Sequence, residues 1–368
     1  MLSLVPSDPV SQDLREAVAA ELESFLAAKR SLLAAIAPAL AQVGDLASGF
    51  TSGGKRLRPA FCIWGYLAVA DPGADLAHLV KAAASLDLLH VSALVHDDVM
   101  DASDTRRGQP AAHVQFAASH ADRSLRGDAA GFGRAGAILL GDLLLVWSQE
   151  LFSSSGFPAE VIARANPVLE AMRTEVTAGQ FLDVLAQARH AADARTAPAD
   201  VMKEVRRVVE FKTARYTVVR PLQLGASLAG GSPPVLDALE AYGSAVGRAF
   251  QFRDDVLGIF GDAEVTGKPA GDDLREGKLT ALLAQAVRLS GDSAADELIR
   301  LVDGSRLAES DIDRARQLIV ESGALAAVED EIATATREAI AGLDAAPLRE
   351  EAKLALSALA RAAAERES

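Results

Sequence analysis

Two acidic clusters are the residues whose types and spacing point most directly to chemistry. HDDVMD contains Asp97, Asp98 and Asp101, and FQFRDDVLG, much later in the chain, contains Asp254 and Asp255. On a helix, positions 97 and 101 lie on one face, where like charges repel by roughly a few tenths of a kcal/mol unless a cation sits between them. One such cluster alone could be a solvated helix end. Two clusters that each follow an apolar helical pattern predict a pair of hard-cation sites.

The ligand types in these clusters favour Mg²⁺. Carboxylate oxygens suit a hard cation that keeps several waters and completes its coordination with substrate phosphates. Mg²⁺ between two acidic helices would hold a diphosphate. Zinc is the alternative, because His96 precedes the first cluster and His90 lies upstream, but no thiolate or second close histidine completes a tetrahedral set. His96 could instead be a structural hydrogen-bonding residue.

Basic residues occur where an anion would arrive. GGKRLRP supplies Lys55, Arg56 and Arg58 after two glycines, and TRRGQP supplies Arg106 and Arg107 just beyond the first acidic cluster. Guanidinium groups bind phosphate oxygens in a bidentate manner. Either run alone could be an ordinary surface loop. Next to the acidic clusters, the two runs predict recognition of diphosphate groups.

Three further segments could complete such a site. The Gly-rich segment TGKPAGDDLREGK carries Lys268 and Lys278 and is of the kind that closes over a ligand. EFKTARY carries Lys212 and Thr213 in a helical pattern, and GQFLD adds a polar pair to another helix. Thr213 could instead simply bond back to a backbone carbonyl.

The elements that must position these residues are helices. Apolar residues recur at three- and four-residue spacings, whereas strand-like alternation is nearly absent. Gly, Pro and Ser punctuate the pattern without forming a flexible linker, so residues 1–368 are predicted to be a single domain. We predict an all-α fold with helices at residues 12–43, 57–70, 75–101, 134–154, 159–189, 199–229, 234–260, 278–301, 309–341 and 346–366.

Composition limits the partners and the location. Half of the residues are hydrophobic and 5% are aromatic, which is typical of a helix-rich core. A formal net charge of -14 argues against a nucleic-acid surface, which requires clustered basic residues. The single cysteine, Cys62, cannot form an intramolecular disulfide, and the first residues lack a signal-peptide pattern. Because the long apolar runs are interrupted, we predict a cytoplasmic protein without a transmembrane segment.

The ordered motifs GGKRLRP, DDVMD, RRG, GQFLD, FKT, FQFRDDVLG, GKP and DLREGK make the chain resemble the trans-isoprenyl diphosphate synthases, or polyprenyl synthetases. Among these it resembles the bacterial geranylgeranyl diphosphate synthases. The motifs extend over about residues 53–280. The resemblance implies a helical bundle around a central cavity, usually in a homodimer. It also implies the joining of isopentenyl diphosphate to an allylic primer: dimethylallyl, geranyl or farnesyl diphosphate.

The resemblance implies a metal site as well. Three Mg²⁺ ions would bind between the clusters and hold the allylic diphosphate. The second motif departs from many relatives, because Gly258 stands where they have a third aspartate; this leaves the number of ligands there open. The implied metal ligands are Asp97, Asp98, Asp101, Asp254 and Asp255.

Substrate contacts follow from the same resemblance. Lys278 would be a further substrate-binding residue. The groups that hold the allylic diphosphate would be Arg106, Lys212 and Lys268. The groups that hold isopentenyl diphosphate would be Lys55, Arg58, His90 and Arg107. The groups that face the reacting allylic carbon would be Gln251, Thr213 and the carbonyl of Lys212.

Product length depends on what the growing apolar tail meets along the helix before the first acidic cluster. One turn earlier the residues are Ser92 and Ala93, which are small, and Leu89 comes next. In relatives that stop at fifteen carbons, bulky aromatic residues commonly occupy this turn, so the resemblance, together with the small residues here, implies the C20 product, geranylgeranyl diphosphate. Products of C25 to C50 and the C15 product are alternatives, and the small residues could instead serve only close helix packing. Candidate floor residues are Leu89, Leu86, Phe116 and Phe181.

Three other classes of protein remain as alternatives. A class I terpene cyclase shares the first acidic motif, but it typically carries an NSE-type second metal site, which is not found near the second cluster. A non-catalytic subunit of a heteromeric synthase tends to lose one acidic motif, and both are present. A metal-storage bundle predicts Glu-x-x-His pairs, and none is found in the sequence.

Overall fold

The structure is a computed structural model that describes residues 3–71, 73–188, 190–261, 271–275, 277–303 and 307–366. Within these ranges the fold is all-α, as predicted, apart from one small hairpin of β1 (Thr105–Arg106) and β2 (Gln109–Pro110). The helices up to residue 187 are α1 (Gln12–Ile36), α2 (Ala41–Thr51), α3 (Leu57–Leu67), α4 (Leu76–Met100), α5 (Ala112–Asp122), α6 (Ala129–Ser153) and α7 (Ala159–Gln187). Those that follow are α8 (Asp193–Thr196), α9 (Pro198–Val208), a π-helix (Val209–Val219), α10 (Arg220–Leu228), α11 (Pro233–Phe260), α12 (Asp272–Arg275), α13 (Ala281–Leu289), α14 (Asp292–Val302), α15 (Glu309–Glu321), α16 (Ala324–Asp344) and α17 (Glu350–Glu365).

The prediction was wrong for three helices, which it treated as continuous although each is interrupted in the structure. The helix predicted at 12–43 breaks at Ala37, which is extended (φ -159°, ψ 138°) because the residue before a proline avoids the α conformation. The helix predicted at 309–341 breaks at Gly323, whose φ of 80° is left-handed. That predicted at 278–301 is divided into α13 and α14. Hydrophobic spacing continued across all three breaks and concealed them.

The region between α4 and α6 was also incomplete in the prediction. The helix α5, which packs against α6, was missed.

The helix predicted at 199–229 is not uniformly α-helical, because eleven of its residues form the π-helix. Hydrophobic periodicity alone does not distinguish these two helical forms over so short a stretch.

The helix α4 runs through the centre of the larger hydrophobic core and packs mainly against α6, α3 and α1. The helix α11 contributes to two cores: Leu239 and Val246 belong to the larger one, and Phe252 and Val256 to a second one formed with α13, α15 and α16. Each of these two helices carries an acidic cluster in its last turns. Two long helices that contribute to the hydrophobic cores therefore position the acidic residues.

By length and composition, α4 and α6 could each cross a membrane. The most apolar stretch of α4 is 72% buried inside the protein, as expected of a core helix, whereas that of α6 is 28% buried. On α6, Leu139 and Val146 are 62% and 63% exposed. This apolar face of α6 is therefore uncovered in the single chain.

Candidate active site

A cavity of about 510 Å³ lies between α4, α7, the π-helix and α11, and a second one of about 480 Å³ adjoins it. The two share much of their lining and form one compartment, which both acidic clusters reach. The residues that line both parts are His90, Leu94, Asp97, Arg107, Lys212, Thr213, Gln251 and Asp254.

The first acidic cluster lies at the end of α4 and is surrounded by cations. Asp98 is 1% exposed and accepts a hydrogen bond from Nε of Arg106 at 2.8 Å. A second guanidinium nitrogen of Arg106 lies 3.8 Å from Asp97. The carboxylate of Asp101 lies 3.5 Å from Nζ of Lys278. The structure thus brings two of the predicted basic residues onto this cluster.

The hairpin after α4 directs its two arginines to different places. Arg107 and Gly108 form its turn and have φ values of 53° and 72°, as a type I′ turn requires at both central positions. This tight reversal brings Arg106 back over α4, while Arg107 lines the cavity. The sequence RRG therefore supplies one cation to the carboxylates and another to the open compartment.

Lys212 connects three helices at the cavity wall. Its Nζ lies 2.5 Å from Oδ2 of Asp183 and 3.3 Å from Oδ1 of Asp97. The same Asp97 oxygen accepts a 2.7 Å hydrogen bond from Gln180. Although burial opposes it, the charges of Lys212 and Arg106 hold the pKa of Asp97 below its usual value. The motifs GQFLD and FKT thus meet at the first acidic cluster.

The second acidic cluster lies near the end of α11. Asp255 is 4% exposed and accepts hydrogen bonds from Gln251 (2.9 Å) and from the backbone N–H of Ala281 (3.3 Å). Burial raises the pKa of Asp255 to about 7. Gln251 also accepts a 2.5 Å hydrogen bond from Thr213, so the predicted Thr213 and Gln251 form one polar unit beside the cluster.

Asp254 has an unforeseen partner, Arg366, which follows α17. The guanidinium of Arg366 forms an ion pair with Asp254, lies 3.9 Å from the ring centroid of Phe250, and lines the cavity. Burial lowers the pKa of Arg366 to about 10. No motif marks this arginine in the sequence, because it lies far along the chain from every other residue of the site.

Gly258, the departure from the acidic pattern, is explained by close packing. A Cβ atom at this position would lie 2.1 Å from Oδ2 of Asp273. The carboxylate of Asp273 therefore occupies the space that a side chain at 258 would need, and it lines the cavity. An acidic group is thus present here even though the motif ends in glycine.

A basic wall lies opposite these carboxylates. Arg58 lies over the ring of Tyr216 (4.3 Å from its centroid) and donates a 2.8 Å hydrogen bond to Thr217. Nδ1 of His90 lies 3.4 Å from the hydroxyl of Tyr216. Burial, together with Arg58 and neighbouring arginines, lowers the pKa of His90 well below its usual value. His90 is therefore neutral at physiological pH and acts as a hydrogen-bonding group.

The loop that carries Lys55 is fixed by a buried ion pair. Arg56 adopts a left-handed conformation, with φ of 53°. Its guanidinium lies 2.6 Å from Asp87 of α4 and donates a 2.8 Å hydrogen bond to the carbonyl of Thr51. Lys55 lines the cavity, and burial together with Arg366 lowers its pKa. The sequence indicated the anion-binding loop, but not the part that Arg56 plays in holding it.

Of the residues predicted to set product length, some line the cavity and others do not. Ala93 lines the cavity. Ser92, by contrast, donates a 2.8 Å hydrogen bond to the carbonyl of Gly141 on α6 and lines neither described cavity. Among the other candidates, Leu89 is buried away from both cavities, Phe116 packs against α6, and Phe181 is 64% exposed on α7. Lys268, a predicted diphosphate ligand, lies outside the described residues.

The described residues fit a hard cation. The carboxylates at the cavity are oxygen donors, which suits Mg²⁺. Oδ2 of Asp98 is buried and has no hydrogen-bond partner among the residues that the structure describes. A buried carboxylate oxygen of this kind needs a donor or a cation. By ligand type the ends of α4 and α11 therefore suit a divalent ion, but within the described residues no three acidic, histidine or cysteine side chains are already grouped as a metal site.

Comparison with known proteins gives consistent results. The polyprenyl synthetase family profile matches residues 42–319. The crystal structure of geranylgeranyl pyrophosphate synthase from Corynebacterium glutamicum, complexed with isoprenyl diphosphate and magnesium, has a TM-score of 0.89 and 40% identity, covering 96% of this chain and 98% of that one. A geranylfarnesyl diphosphate synthase from Aeropyrum pernix is 34% identical over 277 residues, which cover 74% of this chain and 78% of the relative.

A (2E,6E)-farnesyl diphosphate synthase from Mycobacterium tuberculosis is 35% identical over 272 residues, which cover 73% of this chain and 67% of the relative. These relatives are named for products of different lengths, so the likeness does not decide product length. It does establish the reaction class, in agreement with the acidic and basic walls of the cavity. The chain belongs to the polyprenyl synthetase family and is a trans-prenyltransferase.

Proposed function

We propose that the protein joins isopentenyl diphosphate to an allylic diphosphate and that its main product is geranylgeranyl diphosphate. The accepted primers are dimethylallyl, geranyl and farnesyl diphosphate. The observation that carries the proposal is the single compartment in which two acidic clusters face a basic wall. Such a compartment suits two diphosphate groups, one held through metal ions and the other held directly by cations.

The metal site takes three Mg²⁺ ions in this proposal, within a family that depends on Mg²⁺. When bound, Mg²⁺ supplies Lewis-acid stabilisation of the charge that develops on a departing diphosphate. The side chains that hold the ions are Asp97, Asp98, Asp101, Asp254 and Asp255. Titration of the purified protein with Mg²⁺ in the presence of a non-reactive allylic diphosphate analogue measures the stoichiometry, and a value other than three contradicts this part of the proposal.

The basic side chains divide between the two substrates. Arg106 and Lys212, already beside the first acidic cluster, hold the allylic diphosphate together with Lys268 and Lys278. A second group binds the diphosphate of isopentenyl diphosphate: Lys55, Arg58, His90 and Arg107. Neutral His90 donates or accepts a hydrogen bond without adding charge. Fixed donors aimed at a developing anion lower the barrier without reorganisation cost.

The reaction needs no nucleophile from the protein. The bond between the allylic carbon and the diphosphate oxygen breaks, and its electron pair leaves with the diphosphate. The double bond of isopentenyl diphosphate attacks the allylic cation, and the released diphosphate accepts the proton that is lost. Thr213, Gln251 and the carbonyl of Lys212 face the cation in this proposal, which the hydrogen bond between Thr213 and Gln251 supports.

Product length is assigned to the cavity wall at Ala93. Its methyl group leaves room for the growing tail one turn before the first acidic cluster. The likeness to a geranylgeranyl synthase supports the C20 product. The C25 product is the principal alternative, supported by the likeness to a geranylfarnesyl synthase, and the C15 product is another.

Product analysis tests both the reaction and the length. The purified protein is incubated with Mg²⁺, isopentenyl diphosphate and each primer, and the dephosphorylated products are measured by mass spectrometry. A dominant C20 alcohol is expected; a different length contradicts the assignment to Ala93, and no product from any primer contradicts the reaction. Ala93→Phe should shorten the product, whereas Ala326→Phe, at an exposed alanine of α16, should leave it unchanged.

A homodimer is part of the proposal. The exposed apolar face of α6, with Ile138, Leu139 and Val146, is suited to a second copy of the chain. Light scattering should give twice the chain mass, and Leu139→Glu should reduce it to the chain mass if this face is the interface. A monomeric wild-type protein would contradict the proposal.

We also propose that residues 1–368 form one domain and that the protein is cytoplasmic. The first point is supported by α11, which contributes to both hydrophobic cores, and one cooperative unfolding transition is expected. The second is supported by the single buried cysteine. Cell fractionation with a membrane marker tests the location, and recovery in the membrane fraction contradicts it.

A further inference from the structure

The π-helix at Val209–Val219 is an unusual element at an important place. Runs of π-helix are rare in proteins and are frequently found at functional sites. This one is eleven residues long and carries Lys212 and Thr213 on the cavity wall. Because a helix with i→i+5 bonding is wider than an α-helix, its persistence over several turns calls for specific support from side chains.

A stripe of charges at five-residue spacing provides such support. Glu210, Arg215 and Arg220 lie five residues apart, and Nε of Arg215 is 2.9 Å from Oε1 of Glu210. In an α-helix, residues five apart point about 140° away from each other and could not pair in this way. The backbone follows the same spacing, since the N–H of Arg220 donates to the carbonyl of Arg215. The ion pair between Glu210 and Arg215 is therefore favourable only in the π register.

The stripe is tied to both neighbouring helices. Arg215 donates to Glu240 of α11 at 2.7 Å and to Glu175 of α7 at 3.4 Å. Arg220 donates two hydrogen bonds to the carboxylate of Glu175, of 2.7 Å and 2.5 Å. Together Glu175, Glu210, Arg215, Arg220 and Glu240 form what we name the π-helix clamp. Arg215 lies at its centre, because it contacts all three glutamates.

Backbone packing leaves the clamped helix little freedom. A Cβ atom on Gly179 of α7 would lie 2.4 Å from the backbone nitrogen of Lys212, and one on Gly247 of α11 would lie 2.3 Å from Cα of Ala214. The two long helices thus approach the π-helix from two sides at the residues that line the cavity. A change of register would have to displace Lys212 and Thr213 against these contacts.

We propose that Arg215 is a positioning residue: through the π-helix clamp it holds the helix in the register that aims Lys212 and Thr213 at the reacting centre. This inference rests on the proposed function for its catalytic consequence, but not for its structural part. Within the described residues the clamp touches neither acidic cluster, so it acts through the helix that carries Lys212 and Thr213. Partly exposed ion pairs contribute little to the free energy of unfolding. Loss of the clamp should therefore affect the position of Lys212 and Thr213 more than the overall stability of the protein.

The test compares Arg215→Met with Arg314→Met. Arg314 forms a comparable two-pronged pair with Glu297, at 2.8 Å, between α15 and α14 and away from the cavity. Because a displacement of about 1 Å can cost roughly 100-fold, kcat of Arg215→Met should fall by roughly 100-fold. Because Lys212 also holds the allylic diphosphate in the proposed function, the KM for that substrate should rise as well, but by less than the fall in kcat, roughly threefold to tenfold. Arg215→Lys keeps a positive charge but cannot contact all three glutamates. Its kcat should therefore lie between those of Arg215→Met and the wild type.

Hydrogen exchange gives a readout that does not depend on activity. In Arg215→Met, amide exchange should become faster within residues 209–220 and stay unchanged elsewhere, whereas Arg314→Met should leave this segment as in the wild type. If Arg215→Met is insoluble, Glu210→Gln is measured instead, and its kcat should fall at least about tenfold because the register-specific pair is lost.

Three results would overturn the inference. They are a kcat for Arg215→Met, or for Glu210→Gln, within about threefold of wild type; faster exchange spread evenly over the whole chain; and an equal loss of activity in Arg314→Met. A wild-type protein that is inactive with every primer contradicts the proposed function instead. In that case the exchange measurement alone still decides whether the clamp holds the π-helix.

Discussion

Gly179→Ala should displace the helix that carries Lys212. A Cβ atom at Gly179 would lie 2.4 Å from the nitrogen of Lys212 and 2.6 Å from the carbonyl carbon of Phe211, whereas ordinary contacts begin at 3.4 Å. Both neighbours are backbone atoms, so no flexible side chain can turn aside. The π-helix and α7 must therefore separate by about 1 Å, comparable to the misplacements that reduce catalysis by large factors.

The expected size of the effect follows from this displacement. A misplacement of about 1 Å costs roughly 100-fold in kcat, or about 2.7 kcal/mol in the activation free energy. Overpacking should also lower the free energy of unfolding by about 1–3 kcal/mol. Neither acidic cluster is altered directly, but Lys212 lies 3.3 Å from Asp97, so the Mg²⁺ concentration that gives half-maximal activity should also shift.

Steady-state kinetics and thermal unfolding of Gly179→Ala measure both quantities, and Gly342→Ala is the matched control. Gly342 lies inside α16, and apart from its chain neighbours and the backbone of its own helix no described atom lies within 4 Å of the position that a methyl group would take there. Its replacement should therefore raise the free energy of unfolding by about 0.4–1 kcal/mol and leave kcat unchanged. Gly179→Ala with kcat within about threefold of wild type and unaltered stability would refute the reasoning from backbone contact.

Two further predictions concern the acidic clusters. Asp97→Ala and Asp254→Ala should each lower kcat by roughly 10²–10³-fold while circular dichroism remains that of the wild type, and wild-type rates from either soluble variant would exclude that residue from the metal site. Gly258→Asp should lower the free energy of unfolding by about 1–3 kcal/mol because it meets the carboxylate of Asp273. Addition of Asp273→Ala should restore the melting temperature, and failure to restore it would show that this contact is not the cause.

The sequence was most informative where one short segment carries both a residue type and its position. The all-α fold followed from hydrophobic spacing, and the first acidic cluster could be placed at a helix end next to Arg106 because these residues are close in sequence. The residues themselves suggested that the two acidic helices face each other, but the place of Lys212 beside Asp97 could be expected only from the resemblance, because it depends on how α4 and the π-helix pack.

Other features of the site could not be predicted from the sequence, and the structure shows the physical reasons. Arg366 belongs to the site only because α17 returns along the bundle, a long-range result of packing that no local pattern contains. Ser92 and Ala93 are adjacent in sequence, yet one bonds to α6 and the other lines the cavity. Both lie before the first acidic cluster on α4, and helical spacing could not decide between them because α4 is surrounded on nearly all sides.

Asp97 and Asp255, one residue from each acidic cluster, differ in their electrostatic state, whereas the pKa of Asp98 is raised by burial like that of Asp255. Around Asp97 the positive charges of Lys212 and Arg106 outweigh the cost of burial, so its pKa is lowered and the carboxylate is ionised at neutral pH. Asp255 receives hydrogen bonds from an amide and a backbone N–H, which are neutral donors, and burial dominates, so its pKa rises to about 7. Full ionisation of Asp255 at neutral pH therefore needs additional positive charge beside it, whereas that of Asp97 does not. The larger positive contribution at Asp97 comes from Lys212 on the π-helix, so the difference between Asp97 and Asp255 depends on helix packing and not on the basic residues next to the first motif.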